Sequence, residues 1–213
     1  FRPIDNDDKI EVVPPLLRQQ VKNIVPKAGE RWLAYLTHFR LSEDIMAWSN
    51  ANPDVQLDCF WDNPARRETY HYSDSLTFHP IDADNYLSKM TECAGLISTA
   101  GFESVAEAMY LGKPAMMVPV PNHIEQMINA FDGELSGAGI GASSFDLSIF
   151  KNYLPSHVSV QNQYQEWVAQ SQRLMAGHLS DLIAQPVYVA NFGQNQGTGL
   201  SGMLGRRRFR WSR

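Results

Sequence analysis

The chain has 213 residues, of which 44% are hydrophobic and 19% are charged. These proportions are those of a globular protein with enough apolar material for one large core or two small ones. The formal net charge of −5 argues against a general nucleic-acid-binding protein, because contact with a phosphate backbone favours a basic surface.

The first 30 residues are polar and punctuated by proline. Pro14, Pro15 and Pro26 exclude a long helix here, since proline breaks the helical hydrogen-bond pattern. We therefore expect residues 1–30 to be a linker or lead-in segment. The chain begins with Phe1 rather than Met, so we also expect it to be part of a longer protein.

After residue 30, compact apolar runs alternate with segments of helical period. The predicted strands cover 31–39, 54–61, 75–81, 94–99, 114–120 and, as a short one, 139–144. The predicted helices cover 41–52, 85–90, 102–112, 123–135 and, as one long helix, 161–184. This alternation predicts an α/β domain over 31–185, a doubly wound parallel sheet of the Rossmann type with helices on both faces.

The last segment, 186–213, is rich in Gly and Arg and is predicted to be a weakly structured tail. Five arginines stand in 205–213, which favours a solvated basic tail; contact with anionic lipid headgroups or nucleic acid is the alternative. Cys59 and Cys93 lie in or next to apolar runs without metal-ligand spacing, and this is typical of buried thiols. The sequence therefore favours a cytoplasmic location, with peripheral membrane association through the tail left open.

A small-residue turn follows the predicted strand at 94–99. Ligands of doubly wound sheets bind beyond the carboxyl ends of the strands, which is where Ala100 and Gly101 stand. The amides of 102–104 then open a helix, and free amides at a helix N-terminus bind anions. The hydroxyl groups of Thr99 and Ser104 can add to such a site. A diphosphate fits this arrangement.

Carboxylate and amide side chains accompany this turn. Glu107 lies three residues after Ser104 on the same helical face, where a carboxylate can bind vicinal ribose hydroxyls. His123, Glu125 and Gln126 stand in the next strand-to-helix loop, where polar groups can hold a hydroxyl-rich ligand. The alternative for Glu107 and His123 taken singly is an ordinary solvated helix residue.

The stretch "STAGFESVAEAMYLGKPAMMVPVPNHIEQMINA", residues 98–130, resembles the donor-binding signature of GT-B glycosyltransferases of the MurG and UDP-glycosyltransferase type. The positions that agree with the signature are Gly101, Ser104, Glu107, Ala108, Gly112, Pro114, Pro119, Glu125, Gln126, Asn129 and Ala130. The resemblance is strong over these 33 residues, and the order of strands extends it over the predicted domain.

The resemblance implies the C-terminal, donor-binding half of such an enzyme, with no metal or other cofactor and a nucleoside-diphosphate sugar, expected to be a UDP-sugar, as donor substrate. It implies that the amides from Gly101 through Phe102 to Ser104 hold the diphosphate and that Glu107 binds ribose. It further assigns the donor sugar to Glu125 and Gln126. The weaker implied contacts are Thr37 and His38 after the first strand and the backbone near Ile81 at the base.

The resemblance also implies that the acceptor site and the general base lie in an N-terminal half, supplied in cis or in trans. This chain alone is then expected to be inactive. Two alternatives stay open. One is a nucleotide-sugar 2-epimerase, which shares the architecture; the other is a non-catalytic interaction domain, favoured by departures from the signature at Thr99, Ala100 and Glu103.

Overall fold

A computed structural model describes residues 1–3 and 12–184, so the predicted tail and its arginine run lie outside the described residues. Seven strands form one sheet in the order β3-β4-β2-β1-β5-β6-β7. The strands are β1 (Trp32–Leu36), β2 (Leu57–Trp61), β3 (Tyr70–His71), β4 (Leu76–Pro80), β5 (Gly95–Ser98), β6 (Ala115–Met117) and β7 (Gly139–Gly141). All neighbours pair in parallel except β3, which runs antiparallel to β4 at one edge.

Helices connect the parallel strands. They are α1 (Gln19–Lys22), α2 (Ser42–Ala51), α3 (Ala83–Glu92), α4 (Phe102–Tyr110), α5 (Ile124–Leu135), α6 (Leu147–Tyr153), α7 (Gln161–Val168) and α8 (Ser171–Ala184). Among the described residues, none of these helices combines the length and apolarity needed to cross a bilayer.

The sheet separates two apolar cores, because alternate side chains of a strand point to opposite faces. Leu33 of β1 belongs to the core shared with α3, α4 and α7, whereas Trp32 and Ala34 belong to the core shared with α2 and α6. Both faces are therefore covered by helices. The predicted doubly wound parallel sheet is confirmed.

The structure differs from the local predictions at four points, one of which is the four-residue helix α1 inside the segment predicted as a linker or lead-in. The single helix predicted over 161–184 is wrong: it is two helices, α7 and α8, because the Gln170 amide bonds the carbonyl of Trp167, three residues back, and interrupts the helical register. Strand β3 and helix α6 were not predicted. β3 has only two residues, too few to show an alternating pattern.

Residues 12–30 pack along the domain. Val21 is fully buried beside α4, and the backbone amide of Lys27 donates to the carbonyl of Thr91 at 3.0 Å. The Lys113 ammonium donates to the carbonyl of Cys93 at 2.8 Å and also to that of Lys27. The lead-in is thereby held against α3 and the loop before β6.

Both cysteines are buried and free, as the sequence predicts. Burial raises the pKa of the Cys93 thiol to about 11, and it raises that of Cys59 further. Since the thiolate is the reactive form, both side chains serve as small apolar core groups at neutral pH.

Candidate functional site

A cleft of about 610 Å³ opens at the carboxyl edge of the sheet, between β1 and β5. These two strands are neighbours, but the chain leaves them toward opposite sides of the sheet, so this is the topological switch point where doubly wound folds bind ligands. The described residues that line it are Arg18, Tyr35, Ile81, Asp82, Ala83, Tyr86, Gly101, Phe102, Glu103, Ser104, Glu107 and Glu125.

The turn from β5 into α4 forms one wall of the cleft. Ala100 is in the left-handed backbone region, with φ of 59°, and Gly101 is the N-cap of α4. The turn is braced from two sides: Ser98 Oγ accepts from the Ala100 amide at 3.2 Å, and Asn129 Nδ2 donates to the Ala100 carbonyl at 3.1 Å. The Ala100 conformation is one that an L-residue adopts at a cost of roughly 1–2 kcal/mol.

The first turn of α4 belongs to the same wall, and its backbone amides face the cleft. The Val105 amide bonds the Gly101 carbonyl at 3.3 Å, and the amides before it have no partner within the helix. Phe102 is 39% exposed and stacks on Phe1 at 4.9 Å between ring centroids, and Ser104 is half-buried in the lining. The result is a helix N-terminus directed at the cleft, which favours an anion.

Glu107 is 4% exposed and forms a two-point ion pair with Arg18. Arg18 Nε donates to Oε1 at 2.6 Å and Nη2 donates to Oε2 at 2.7 Å. This bond raises the pKa of Arg18. Both carboxylate oxygens keep further lone pairs, because an ionised carboxylate has about four acceptor directions.

Tyr86 of α3 stands on the floor of the cleft near Ser104 and Glu107. It is 6% exposed, and burial raises the pKa of its phenol. Its ring meets those of Tyr35 and Phe60 edge to face. Sequence reasoning missed Arg18, Tyr35 and Tyr86, since no short-range pattern connects α1, β1 and α3 to the turn at 100–104.

The start of α5 holds the second predicted group, with His123 as the N-cap and Glu125 and Gln126 in the first turn. His123 is exposed and caps α5, its Nδ1 accepting from the Gln126 amide at 3.3 Å. Gln126 is buried, and its Oε1 accepts from the Val120 amide at 2.8 Å, so it fixes the loop between β6 and α5. Of these three predicted residues, Glu125 lines the cleft.

The other predicted residues divide between the cleft and its surroundings. Ile81 is 49% exposed and lines the cleft. Thr37 and His38 are exposed after β1, with His38 Nδ1 accepting from the Arg40 amide at 3.2 Å, and neither is in the lining. Thr99 is 1% exposed and is not in the lining.

The lining is acidic. Among the described lining residues, Arg18 is the one cation, against the carboxylates of Asp82, Glu103, Glu107 and Glu125. Asp82 is occupied as the N-cap of α3, accepting from the Asn85 amide at 2.7 Å. No cluster of His, Cys, Asp or Glu within the described ranges 1–3 and 12–184 could hold a metal ion.

The fold and the position of the cleft are those of a Rossmann-like domain of the GT-B glycosyltransferase class. Two solved structures of such enzymes match in fold. The glycosyltransferase SnogD from Streptomyces nogalater has a TM-score of 0.53 at 16% identity, covering 85% of this chain and 48% of its own. The spinosyn forosaminyltransferase SpnP has a TM-score of 0.54 at 15% identity, covering 87% of this chain and 49% of its own.

Sequence comparison gives the family. The profile of glycosyl transferase family 1 matches residues 1–156, and the chain belongs to this family. The expected resemblance to GT-B glycosyltransferases is thereby confirmed.

Curated relatives carry one name, UDP-N-acetylglucosamine–N-acetylmuramyl-(pentapeptide) pyrophosphoryl-undecaprenol N-acetylglucosamine transferase. The one from Lactobacillus delbrueckii subsp. bulgaricus is 32% identical over 109 residues, which is 49% of this chain and 29% of the relative. The one from Lactobacillus acidophilus is 28% identical over 112 residues, 51% of this chain and 30% of the relative. The matched region is thus less than a third of these relatives' length.

Proposed function

We propose that this chain is the donor-binding domain of a glycosyltransferase that uses a nucleoside-diphosphate sugar, with UDP as the expected nucleotide. One observation carries the proposal: the first turn of α4 and the buried carboxylate of Glu107 lie on the same wall of the cleft. An anion-binding helix end beside a diol-binding carboxylate matches the phosphate-ribose part of a nucleotide. The UDP-N-acetylglucosamine in the relatives' name supports the choice of nucleotide.

In this proposal the amides of Gly101 to Ser104 bind the diphosphate. They stabilise the charge that develops as the nucleotide leaves, because fixed N–H dipoles act where negative charge appears. Glu107 accepts from the ribose hydroxyls, and the backbone near Ile81 contacts the base. Glu125 receives the donor sugar, while Gln126 fixes the loop between β6 and α5.

Glu107 must bind its ligand in the presence of Arg18. Because the arginine leaves lone pairs of the carboxylate available, ribose can bind while the ion pair persists. The guanidinium neutralises the Glu107 carboxylate, one of the four carboxylates of the lining, so this carboxylate does not itself repel a diphosphate. Asp82, Glu103 and Glu125 remain, and attraction of a diphosphate rests on the α4 amides.

Transfer requires an acceptor hydroxyl and a general base. We place both outside this chain, in an N-terminal half supplied in cis or in trans, so this chain binds the donor without turning it over. An epimerised nucleotide sugar formed without acceptor would contradict the transferase proposal and support the epimerase alternative.

Titration calorimetry of the chain with UDP, TDP and GDP tests the donor site. We expect UDP to bind most tightly and Glu107→Gln to weaken it by roughly tenfold, the effect of losing a charge-assisted hydrogen bond. Glu134→Gln is the matched control, since this exposed carboxylate of α5 is outside the lining. Absence of binding by all three nucleotides would reject the proposal and favour a non-catalytic interaction domain.

A further inference from the structure

Arg18 has hydrogen-bond donors that its ion pair with Glu107 does not use. A guanidinium carries five N–H groups in a planar fork. The N–H of Nε donates to Oε1 of Glu107, and one N–H of Nη2 donates to Oε2. The other three N–H groups have no hydrogen-bond partner among residues 1–3 and 12–184, and the side chain is 40% exposed in the lining of the cleft. Arg18 therefore offers donors to a ligand in the cleft.

The fold holds Arg18 at both ends. Its backbone is the N-cap of α1, where the Arg18 carbonyl accepts from the Val21 amide at 3.1 Å. Val21 is fully buried in the core to which α4 contributes, so α1 is anchored on the domain. The two bonds to Glu107 fix the guanidinium at the other end. The unused N–H groups are thus oriented before a ligand arrives, and a preorganised donor loses less entropy on binding.

The ion pair places a donor and an acceptor side by side, and a hydroxyl group can use both. A hydroxyl donates one hydrogen bond and also accepts, whereas an ionised carboxylate only accepts and a guanidinium only donates. A hydroxyl that donates to Oε2 of Glu107 lies beside Nη2 of Arg18, which bonds the same oxygen. The second N–H of Nη2 can then donate to the oxygen of that hydroxyl. The pair is therefore a better hydroxyl site than the carboxylate alone.

We propose that Arg18 is a specificity-determining residue, through which the cleft selects ribonucleotides over 2′-deoxyribonucleotides. Its guanidinium donates to the oxygen of the ribose 2′-hydroxyl, while Glu107 accepts from the same hydroxyl. This inference rests on the donor site proposed above. A 2′-deoxynucleotide leaves both groups without this partner, and a site built to bond a hydroxyl discriminates strongly against a ligand that lacks it. The Glu107 side chain is only 5% exposed, so water replaces the lost bonds poorly.

Titration calorimetry of the full chain with UDP and with 2′-deoxyuridine diphosphate tests the proposal. We expect UDP to bind roughly 100-fold more tightly, the effect of two charge-assisted hydrogen bonds. Arg18→Met removes the donors and keeps a stem of similar length, and it should lower this ratio of affinities to roughly tenfold. Both ligands are measured on one preparation, so the ratio does not depend on the fraction of a variant that is folded. Arg173→Lys, on the exposed side of α8 and outside the lining, should leave the ratio unchanged.

A second variant separates the hydrogen bond from the charge. Arg18→Lys keeps a cation beside Glu107 but lacks the planar second edge of donors, so it should lower the ratio as Arg18→Met does. A ratio that falls in Arg18→Met but not in Arg18→Lys would overturn the proposal in favour of charge neutralisation alone. A ratio that neither substitution changes, with UDP still bound, would overturn it and leave the donor site intact. Failure of the unaltered chain to bind UDP would reject the donor site and this inference together.

Discussion

Arg18 holds both carboxylate oxygens of Glu107, at 2.6 and 2.7 Å, although 89 residues separate the two in the chain. The carboxylate is buried, and the guanidinium stands 40% exposed at the mouth of the cleft. The lead-in segment thus contributes directly to the wall that we assign to the nucleotide.

We expect Arg18→Ala to lower the free energy of unfolding by about 2 kcal/mol. The loss leaves a buried carboxylate without its charged partner, and the partial exposure of Arg18 keeps the effect below that of a fully buried pair. Urea unfolding followed by circular dichroism measures it. Arg173→Ala, on the exposed side of α8, should change stability by less than about 0.5 kcal/mol. Equal effects of the two substitutions would show that the ion pair between Arg18 and Glu107 does not stabilise the folded protein.

Stability should fall in acid because of Asp58. Burial alone would raise the pKa of this carboxyl, but hydrogen bonds from His79, Arg31 and Lys89 outweigh it and hold the pKa below its usual range. A depressed folded-state pKa stabilises the protein above the unfolded value, about 3.9, and the contribution is lost as the pH falls below it.

The corresponding measurement is urea unfolding from pH 7 to pH 2. Asp58→Asn should be less stable than the unaltered chain at pH 7 and should show a shallower decline below pH 4. Asp74→Asn, at an exposed position, should follow the unaltered chain throughout. A parallel decline in the Asp58→Asn variant would contradict the assignment.

Asn129 braces the turn that presents the α4 amides. Asn129→Ala removes its bond to the Ala100 carbonyl, so we expect a loss of about 1 kcal/mol in stability and a roughly 3- to 10-fold weaker affinity for UDP. Calorimetry reports the affinity. Asn50→Ala on α2, which removes an exposed bond to Tyr72, should leave UDP binding unchanged. Unchanged UDP affinity in the Asn129 variant would mean that the turn does not touch the ligand.

At two glycines, substitution by alanine should change the stability of the protein in opposite directions. At Gly177, inside α8, a Cβ meets nothing within 4 Å, so Gly177→Ala should raise stability by about 0.5–1 kcal/mol through helix propensity. At Gly95 a Cβ would come within 2.6 Å of Phe150 Cζ, so Gly95→Ala should cost about 1–3 kcal/mol. Thermal unfolding of both variants measures the contrast, and a stabilised Gly95→Ala would refute the packing assignment.

The alternation of strands and helices was readable because the parallel strands β1, β2, β4, β5 and β6 are short, largely apolar runs that are almost entirely buried. The same logic could not detect β3, whose two residues gain their structure from pairing with β4. It also missed the break between α7 and α8, where no Gly or Pro interrupts the sequence from 161 to 170.

The candidate site likewise contains residues that the sequence could predict and residues that it could not. The turn at Gly101 and the carboxylate at Glu107 follow from local spacing along one helix, and both line the cleft. Arg18 and Tyr86 join them only through the tertiary fold. Gln126 could be predicted from its position in the signature, but the sequence does not show that its Oε1 accepts from the Val120 amide. Spacing identifies which residues share a face, whereas the partners of each side chain are set by distant segments.

The central position of β1 has a consequence for the order of assembly. β1 pairs with β2 on one side and with β5 on the other, so the half of the sheet from β1 to β4 closes within residues 32–80, while β5, β6 and β7 add one after another as the chain lengthens. A polypeptide emerging from the ribosome can therefore build the sheet outward from β1. Strands β2, β3 and β4 can pair before β5 has been synthesised. The cleft, which needs β5 and the turn after it, is completed only when the second half begins to form.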